Sequence, residues 1–482
     1  MAFASGTHWD IRVSGSDSNG GGFNTSATGT DRSQQDTAFL TFTDIVIGGT
    51  NTTITSAAHP FDATSPGNVI NITGGTGFTV QRIQIVSVAG GVATCDKAVG
   101  TAGSTGGTGN LGGALQTITK AFSLTSGTSD NRWVFWIKAG TYTNTAAYAI
   151  DCNCGCAVIG YNTAHGDITP TSGLTRPLLT TATNGVHLID LNGSAVDSVL
   201  QMSNLSMSHT AGTRSFGINS IGARVHLTLR NCIMDGFSTA LQGNFAVDWN
   251  WNTLILIATE IKNCTGVGIF CSGSGTGNRL VLYGSYIHNN GSHGVSWNSA
   301  VGTPTPLSSI VVHHSIIASN AGSGILLNNG YSMWAYNSTF ANNSAGSGIA
   351  VGNFWDIALS GELAVVLVSN IFYGNSAYGV DLPSTNVSST FPNFSNAYGS
   401  NGTAPRHNYS AGLEDVALTA NPFTNSGAGD YSLNAAGGGG AACKGAGYPG
   451  VFPGAASTGV QDIGAVQASG AGRAQPQSFV VA

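Results

Sequence analysis

The sequence predicts an all-β fold, a parallel solenoid with coils of about 28 residues. Three observations predict it. Apolar alternations recur between residues 200 and 385, as in "VHLTLRNCIMDG", "LVLYGSYIHNNGSHGVSW" and "VVLVSNIFYGNSAYGVDL". Anchored on Ile233, Ile261, Ile287, Ile317, Phe340 and Phe372, they are spaced by 28, 26, 30, 23 and 32 residues, with Leu205 28 residues before the first. A period in this range marks a repeat array, and two-residue alternation within each unit makes its elements strands. Composition agrees, since Glu and Lys are scarce and only 8% of residues are charged.

Each unit has a finer pattern. Asparagine stands three residues after the anchor at Asn290, Asn320, Asn343 and Asn375. Glycine and an aliphatic residue follow at seven and eight, as in Gly268–Ile269, Gly294–Val295, Gly324–Ile325 and Gly379–Val380, with Gly348–Ile349 one residue later. Coils of this kind stack inward side chains into a continuous core. Asparagine and glycine at fixed offsets are expected to supply left-handed backbone at the corners, and stacked asparagines can bond along the axis. Charge is scarce because successive coils would set like charges about 4.8 Å apart.

The elements follow in chain order. Residues 1–40 are Gly/Ser/Thr/Asp-rich. Residues 41–97 hold short strand-like runs, "FTDIVIG", "TTITS", "NVINIT", "RIQIVSV" and "VATCDKAV", which predict a small N-terminal antiparallel β subdomain. Residues 98–113 read as a Gly/Thr linker. In "GGALQTITKAFSL", Leu115, Ile118 and Phe122 stand at i, i+3 and i+7, predicting an amphipathic helix that caps the open core. "RWVFWIKAGTYT" is the first strong strand. Beyond about residue 400 the repeat fades into an irregular C-terminal cap, with a loose tail after Gln467. The predicted organisation is 1–110 as N-terminal region, 111–400 as capping helix and solenoid, and 401–482 as cap and tail.

Composition also excludes function classes. A net charge of -6 with 16 Lys and Arg argues against nucleic-acid binding, which depends on cations neutralising phosphates. No apolar run has the length that spans a bilayer. The N-terminal decapeptide shows no basic region followed by an apolar stretch, so no signal peptide is expected. Cys152, Cys154 and Cys156 alternate in "DCNCGC". Without a fourth ligand at a recognisable spacing they read as small core residues rather than a metal site, and no cofactor is expected.

"SGSDSNGGGFN" (14–24), "WIKAGTYT" (136–143), "GYNTAHGD" (160–167) with "TRP" (175–177), and "DIGAVQ" (462–467) complete the pattern. Together with the repeats, these segments resemble the right-handed parallel β-helix of the pectate-lyase-like superfamily, in the form found in tailed phages and environmental bacteria. The resemblance implies a right-handed helix. It leaves function open, because that fold hosts lyases, hydrolases, tailspikes and adhesins.

Pectate lyases of that superfamily carry an acidic Ca²⁺ cluster and an arginine base, and galacturonases carry paired aspartates with Gly-His-Gly and Arg-x-Lys. This chain has only "SHG" at Ser292–Gly294. A glycosidase pair needs two carboxylates about 5–9.5 Å apart. The available acids are Asp235, Asp248, Glu260, Asp356, Glu362 and Asp381, of which Asp248, Asp356 and Glu362 fall in insertions between coils. His288, His293, His313 and His314 differ in offset and need not stack. The same insertions are expected to hold Trp249, Trp251, Trp297, Trp334 and Trp355 as binding or assembly loops, either packing against a neighbouring subunit or stacking on sugar rings. The leading expectation is a non-catalytic structural or attachment protein of a phage particle: a fibre, tailspike or head-decoration rod. It would be assembled in the host cytoplasm and located in the virion or outside the cell. The expected partners are itself, as a symmetric homo-oligomer with trimers common among similar proteins, other virion proteins and host-surface polysaccharide. The alternatives are a polysaccharide lyase or glycoside hydrolase and, behind it, a bacterial adhesin.

Overall fold

A computed structural model describes residues 6–124, 132–150, 155–169, 173–191, 198–210, 212–221, 225–244, 253–273, 279–299, 309–328, 332–351, 365–382, 392–448 and 461–467. The chain forms two compact units. The first comprises residues 1–144, 148–180 and 196–205, and the second residues 145–147, 181–195 and 206–482.

In the first unit, Thr7–Ile11 pairs antiparallel with Gly22–Asn24 and parallel with Arg132–Lys138. Gly155–Tyr161 and Ser198–Ser203 continue the parallel order. Alternation sends Trp9, Ile11, Trp133, Phe135, Ile137 and Val158 inward, all at most 1% exposed. Thr7–Ile11 and Gly22–Asn24 are therefore sheet, although residues 1–40 hold few apolar positions. The helix is Ile118–Ser123, started by the Thr117 hydroxyl, which accepts from the Lys120 amide at 3.1 Å. It buries Ile118 and Phe122 as expected, and Phe122 meets Phe135 edge-on at 4.9 Å. Leu115 is not helical. It is fully buried and bridges Ile11 ahead of the helix. Asp17, from "SGSDSNGGGFN", accepts the Gln116 and Thr117 amides at 3.0 Å and the Thr117 hydroxyl at 2.7 Å.

Residues 40–111 close into a six-stranded antiparallel barrel. Its strands, in spatial order, are Leu40–Ile47, Thr53–Thr55, Val92–Cys95, Gln81–Ala89, Val69–Gly74 and Gly107–Leu111. Phe42, Ile45, Ile54, Ile70, Ile83 and Ile85 lead its separate core, each fully buried. The closing strand lies in the stretch that reads as a linker. Its glycines answer to close packing, since a Cβ on Gly109 would stand 3.0 Å from the Asn71 carbonyl oxygen.

The second unit is the solenoid, with three parallel sheets and roughly 27 residues per coil. One coil consists of Arg279–Tyr283 in the first sheet, Tyr286–His288 in the second and Val295–Ser299 in the third. The inward column of the second sheet runs Met207, Met234, Ile261, Ile287, Ile317, Phe340, Phe372 and Tyr398. Ile233 is thus one residue out of register. It is half-buried and pairs with Glu260, while Met234 beside it is fully buried. At the other end the rings of Phe340, Phe372 and Tyr398 stack at 5.1 and 5.2 Å.

The corner asparagines form the expected ladder. The Nδ2 of Asn290, Asn320, Asn343 and Asn375 donates to the Oδ1 of Asn320, Asn343, Asn375 and Asn401, at 2.8, 3.1, 2.8 and 3.0 Å. The left-handed residue is the one before each rung, at Asn289, Ser319, Asn342 and Gly374. A second ladder at the preceding corner was not legible in the sequence, because its rungs change type: Thr259, Ser285, Ser315, Ser338, Asn370 and Asn396. The repeat glycines do not have positive φ. A Cβ on Gly268, Gly294, Gly324, Gly348 or Gly379 would stand 2.5–2.7 Å from a carbonyl oxygen of the next coil. They are small because the coils approach closely there.

The coils continue to Ala404–His407 and Val416–Ala417. Residues 418–448 and 461–467 lie along the outer face of the second sheet, where Leu418, Phe423, Tyr431, Cys443 and Ile463 cover Ala341 and Ile371. "DIGAVQ" fastens this cover: Gly464 donates to the Ser369 carbonyl at 2.8 Å and Ala465 to the Thr339 hydroxyl at 3.1 Å.

His313 stacks on Tyr283 at 5.2 Å and meets His314 at 4.4 Å. Burial, with His314 adding to it, lowers its pKa to about 4. The unfolded chain therefore binds the extra proton between about pH 6.5 and 4, so stability is complete above that window and falls as pH drops through it. His313→Gln is expected to remove about 1–3 kcal/mol of that fall, discounted for partial solvent access. Urea unfolding of the two proteins at pH 7.5 and 4.5 measures it.

Candidate active site around Asp10 and His165

Asp10 points to the outer face of the first unit's sheet, yet its side chain is only 1% exposed. Three groups enclose it. Arg12, just past the end of the same strand, brings Nε to Oδ1 at 2.7 Å. The Tyr161 hydroxyl donates from 2.9 and 3.0 Å to the two carboxylate oxygens. His165 places Nε2 2.7 Å from Oδ2.

His165 reaches Asp10 because the segment after Gly155–Tyr161 turns back over the sheet. Asp167 sets that turn. Its carboxylate accepts the amides of Asn162, Thr163 and Ala164 at 2.8, 2.6 and 3.0 Å, and the Thr163 hydroxyl at 3.0 Å. Burial opposes the shift, but these bonds lower its pKa to about 2. The imidazole lies flat on the indole of Trp136, with centroids 4.2 Å apart and planes 8° apart, and meets Tyr161 edge-on at 4.7 Å. Trp136 in turn donates Nε1–H to His8 Nδ1 at 3.2 Å.

The electrostatics define which atoms are available. Burial, reinforced by the Asp10 charge, pushes the Tyr161 phenol far above its ordinary range, so it remains a donor. Burial pulls Arg12 down, but the charge of Asp10 and its bond outweigh this and raise it. His8 is lowered by burial and by His165. With Nε2–H given to a carboxylate, the neutral His165 ring carries its lone pair on Nδ1. Its side chain is 18% exposed. An imidazole held through one nitrogen by a carboxylate is the arrangement that accepts a proton from a substrate at the other.

None of these residues was singled out from the sequence as a site. "HWDIRV" is an ordinary alternating strand, and His165 lies about 150 positions away in "GYNTAHGD". Only the sheet register and the turn at Asp167 bring them together.

The acids that were singled out are placed differently. Glu260 Oε1 takes His288 Nε2 at 2.9 Å and Lys262 Nζ at 3.1 Å. Burial would raise its pKa, but His288 and Lys262 outweigh that and lower it. His288 stacks on Tyr286 at 3.7 Å, and Tyr286 meets Tyr431 of the covering segment, so this group holds the cover to the solenoid. Asp235 accepts Asn263 Nδ2 at 2.9 Å, and Asp381 pairs with His407 at 2.7 Å. His293 accepts the Ser323 amide at 2.9 Å. Trp297 is in strand Val295–Ser299 and 2% exposed, and Trp334 is in strand Ser332–Tyr336, half-buried. Both are therefore strand residues rather than loop residues. Trp249, Trp251, Trp355, Asp248, Asp356 and Glu362 lie outside the described residues. Cys156 is buried in its strand and disulfide-bonded, while Cys152 and Cys154 lie outside the described residues. Among the described residues no group of three or more His, Cys, Asp or Glu could hold a metal ion, and no helix is long and apolar enough to cross a membrane.

Residues 250–426 match the family described as right handed beta helix region. No curated protein matches the chain. Solved structures similar to it include the A-module of mannuronan C-5 epimerase AlgE4 of Azotobacter vinelandii, at 12% identity over 63% of this chain and 92% of that one, TM-score 0.30. The periplasmic alginate epimerase AlgG is similar at 15% identity over 59% and 73%, TM-score 0.25. The catalytic domain of a GH87 alpha-1,3-glucanase is similar at 11% identity over 79% and 89%, TM-score 0.31.

Proposed function

Starting from a right-handed parallel β-helix protein, we propose that the chain acts on a polysaccharide, with His165 as general base. One observation carries the reading: a carboxylate 1% exposed holds Nε2 of an imidazole that is itself 18% exposed. Asp10 fixes the ring and its tautomer, Tyr161 and Arg12 hold Asp10, and the Trp136 indole fixes the ring plane. The Trp136 and Tyr161 rings beside His165 suit the apolar faces of sugars.

His165→Asn is expected to lower turnover of a cleaved polysaccharide by 10²-fold or more, within the usual range for a lost general base, while leaving the thermal midpoint within about 2 °C. New reducing ends measure cleavage, and absorbance of unsaturated uronide ends separates elimination from hydrolysis. Unchanged turnover in His165→Asn would remove the base from the mechanism.

A second reading rests on the barrel. Residues 40–111 have their own closed core, which suits a module that joins the rod to a phage particle or to sister copies in a homo-oligomer. Excising 40–111 should abolish incorporation into particles while preserving strand Thr7–Ile11. Normal incorporation of the excised chain would end this reading.

A further inference from the structure

The guanidinium of the Asp10 site is already matched by carboxylates. Arg12 gives Nε to Asp10 at 2.7 Å and one terminal nitrogen to Asp36 at 3.4 Å. Asp36 also takes a hydrogen bond from Ser14 and feels the charge of Lys138. In the sheet, Lys138 is paired with Tyr161, the residue that donates to Asp10. Arg12 and Lys138 thus balance Asp10 and Asp36 in formal charge, so these four groups carry no surplus positive charge. Arg12 is moreover only 9% exposed, with its fork turned to its two partners.

We infer that the substrate at this site is an uncharged glycan and not a polyuronate. This rests on the general-base reading above and adds the substrate class to it. A uronate carboxylate arriving beside His165 would lose hydration and meet two fixed carboxylates, with no free guanidinium to take it bidentately. A neutral sugar presents hydroxyls that bond to Nδ1 without that cost. The chain's net charge of -6 acts in the same direction at long range.

The test uses pairs of polymers that differ at C6, a carboxylate in one and a neutral group in the other: polygalacturonate and its full methyl ester, mannuronan and mannan, glucuronan and glucan. Affinity electrophoresis of the full-length His165→Asn protein reads binding apart from turnover. The neutral member of at least one pair is expected to retard it at a tenfold lower concentration than the acidic member. Retardation should be unchanged between 20 and 500 mM salt. Asp36→Asn frees one arm of Arg12 and should narrow the ratio at least threefold. Asp36 is 44% exposed, so this change is compatible with folding, and the salt series reads the same charge preference without any substitution. Tighter binding of an acidic member, weakening with salt, overturns the neutral-substrate inference and leaves the general-base reading intact. A preference for the neutral member with wild-type turnover in His165→Asn overturns the base reading alone. Absence of retardation by all six polymers overturns both.

Discussion

Asp10→Ala is expected to destabilise the first unit by about 3–5 kcal/mol, the usual cost of removing one partner of a buried ion pair. Arg12 would then stand 9% exposed with only Asp36 at 3.4 Å, and the Tyr161 hydroxyl and His165 Nε2 would lose their acceptor. Hydrogen exchange reads this locally. Amides of 132–138 and 155–161 should exchange faster by two to three orders of magnitude, and those of 279–328 should not change. Asp10→Asn keeps an acceptor of the same shape but not the charge, so about 1–3 kcal/mol is expected. A loss below 1 kcal/mol in Asp10→Ala would mean that the carboxylate is not the hub of the cluster.

Asn343→Leu is the second large effect. Asn343 is fully buried. It accepts both the amide and the Nδ2 of Asn320 at 3.2 and 3.1 Å, and donates to Asn375 Oδ1 at 2.8 Å. Leucine is similar in size but leaves two buried donors without an acceptor, each costing about 1–3 kcal/mol, and adds the loss at Asn375. The expected loss is about 3–6 kcal/mol, read by urea unfolding with exchange centred on 316–351. Asn401→Leu, at the half-buried end of the same ladder, should cost less than half as much. Equal effects would show that the ladder contributes no more inside than at its edge.

These residues also show how far the sequence could be read. The solenoid was legible because each coil must repeat the same chemistry: an apolar anchor, then asparagine, then glycine. Register failed at Ile233, where two apolar neighbours stand side by side and the alternation has two solutions, and at Leu205, two residues ahead of the Met207 that begins the column. The closing barrel strand Gly107–Leu111 was illegible because its glycines are selected for close approach and give a linker's composition. The motifs behind the family resemblance turn out to be fold devices. Asp17 holds the Thr117 that caps a helix, Asp167 sets a turn and "DIGAVQ" fastens the C-terminal cover. His165 is the exception, because its role depends on a partner about 150 residues away. Such a pair leaves no local pattern, whereas the carboxylates and tryptophans that were singled out were chosen by local position alone.

The most direct measurement is the tautomer of His165, from two-dimensional ¹⁵N spectra of histidine-labelled full-length protein at pH 8, assigned by loss of the signal in His165→Gln. The account predicts a proton on Nε2 and a bare Nδ1, with the pattern collapsing to a mixture in Asp10→Asn. A proton on Nδ1 in the wild-type protein, or a mixture that Asp10→Asn leaves unchanged, would contradict it.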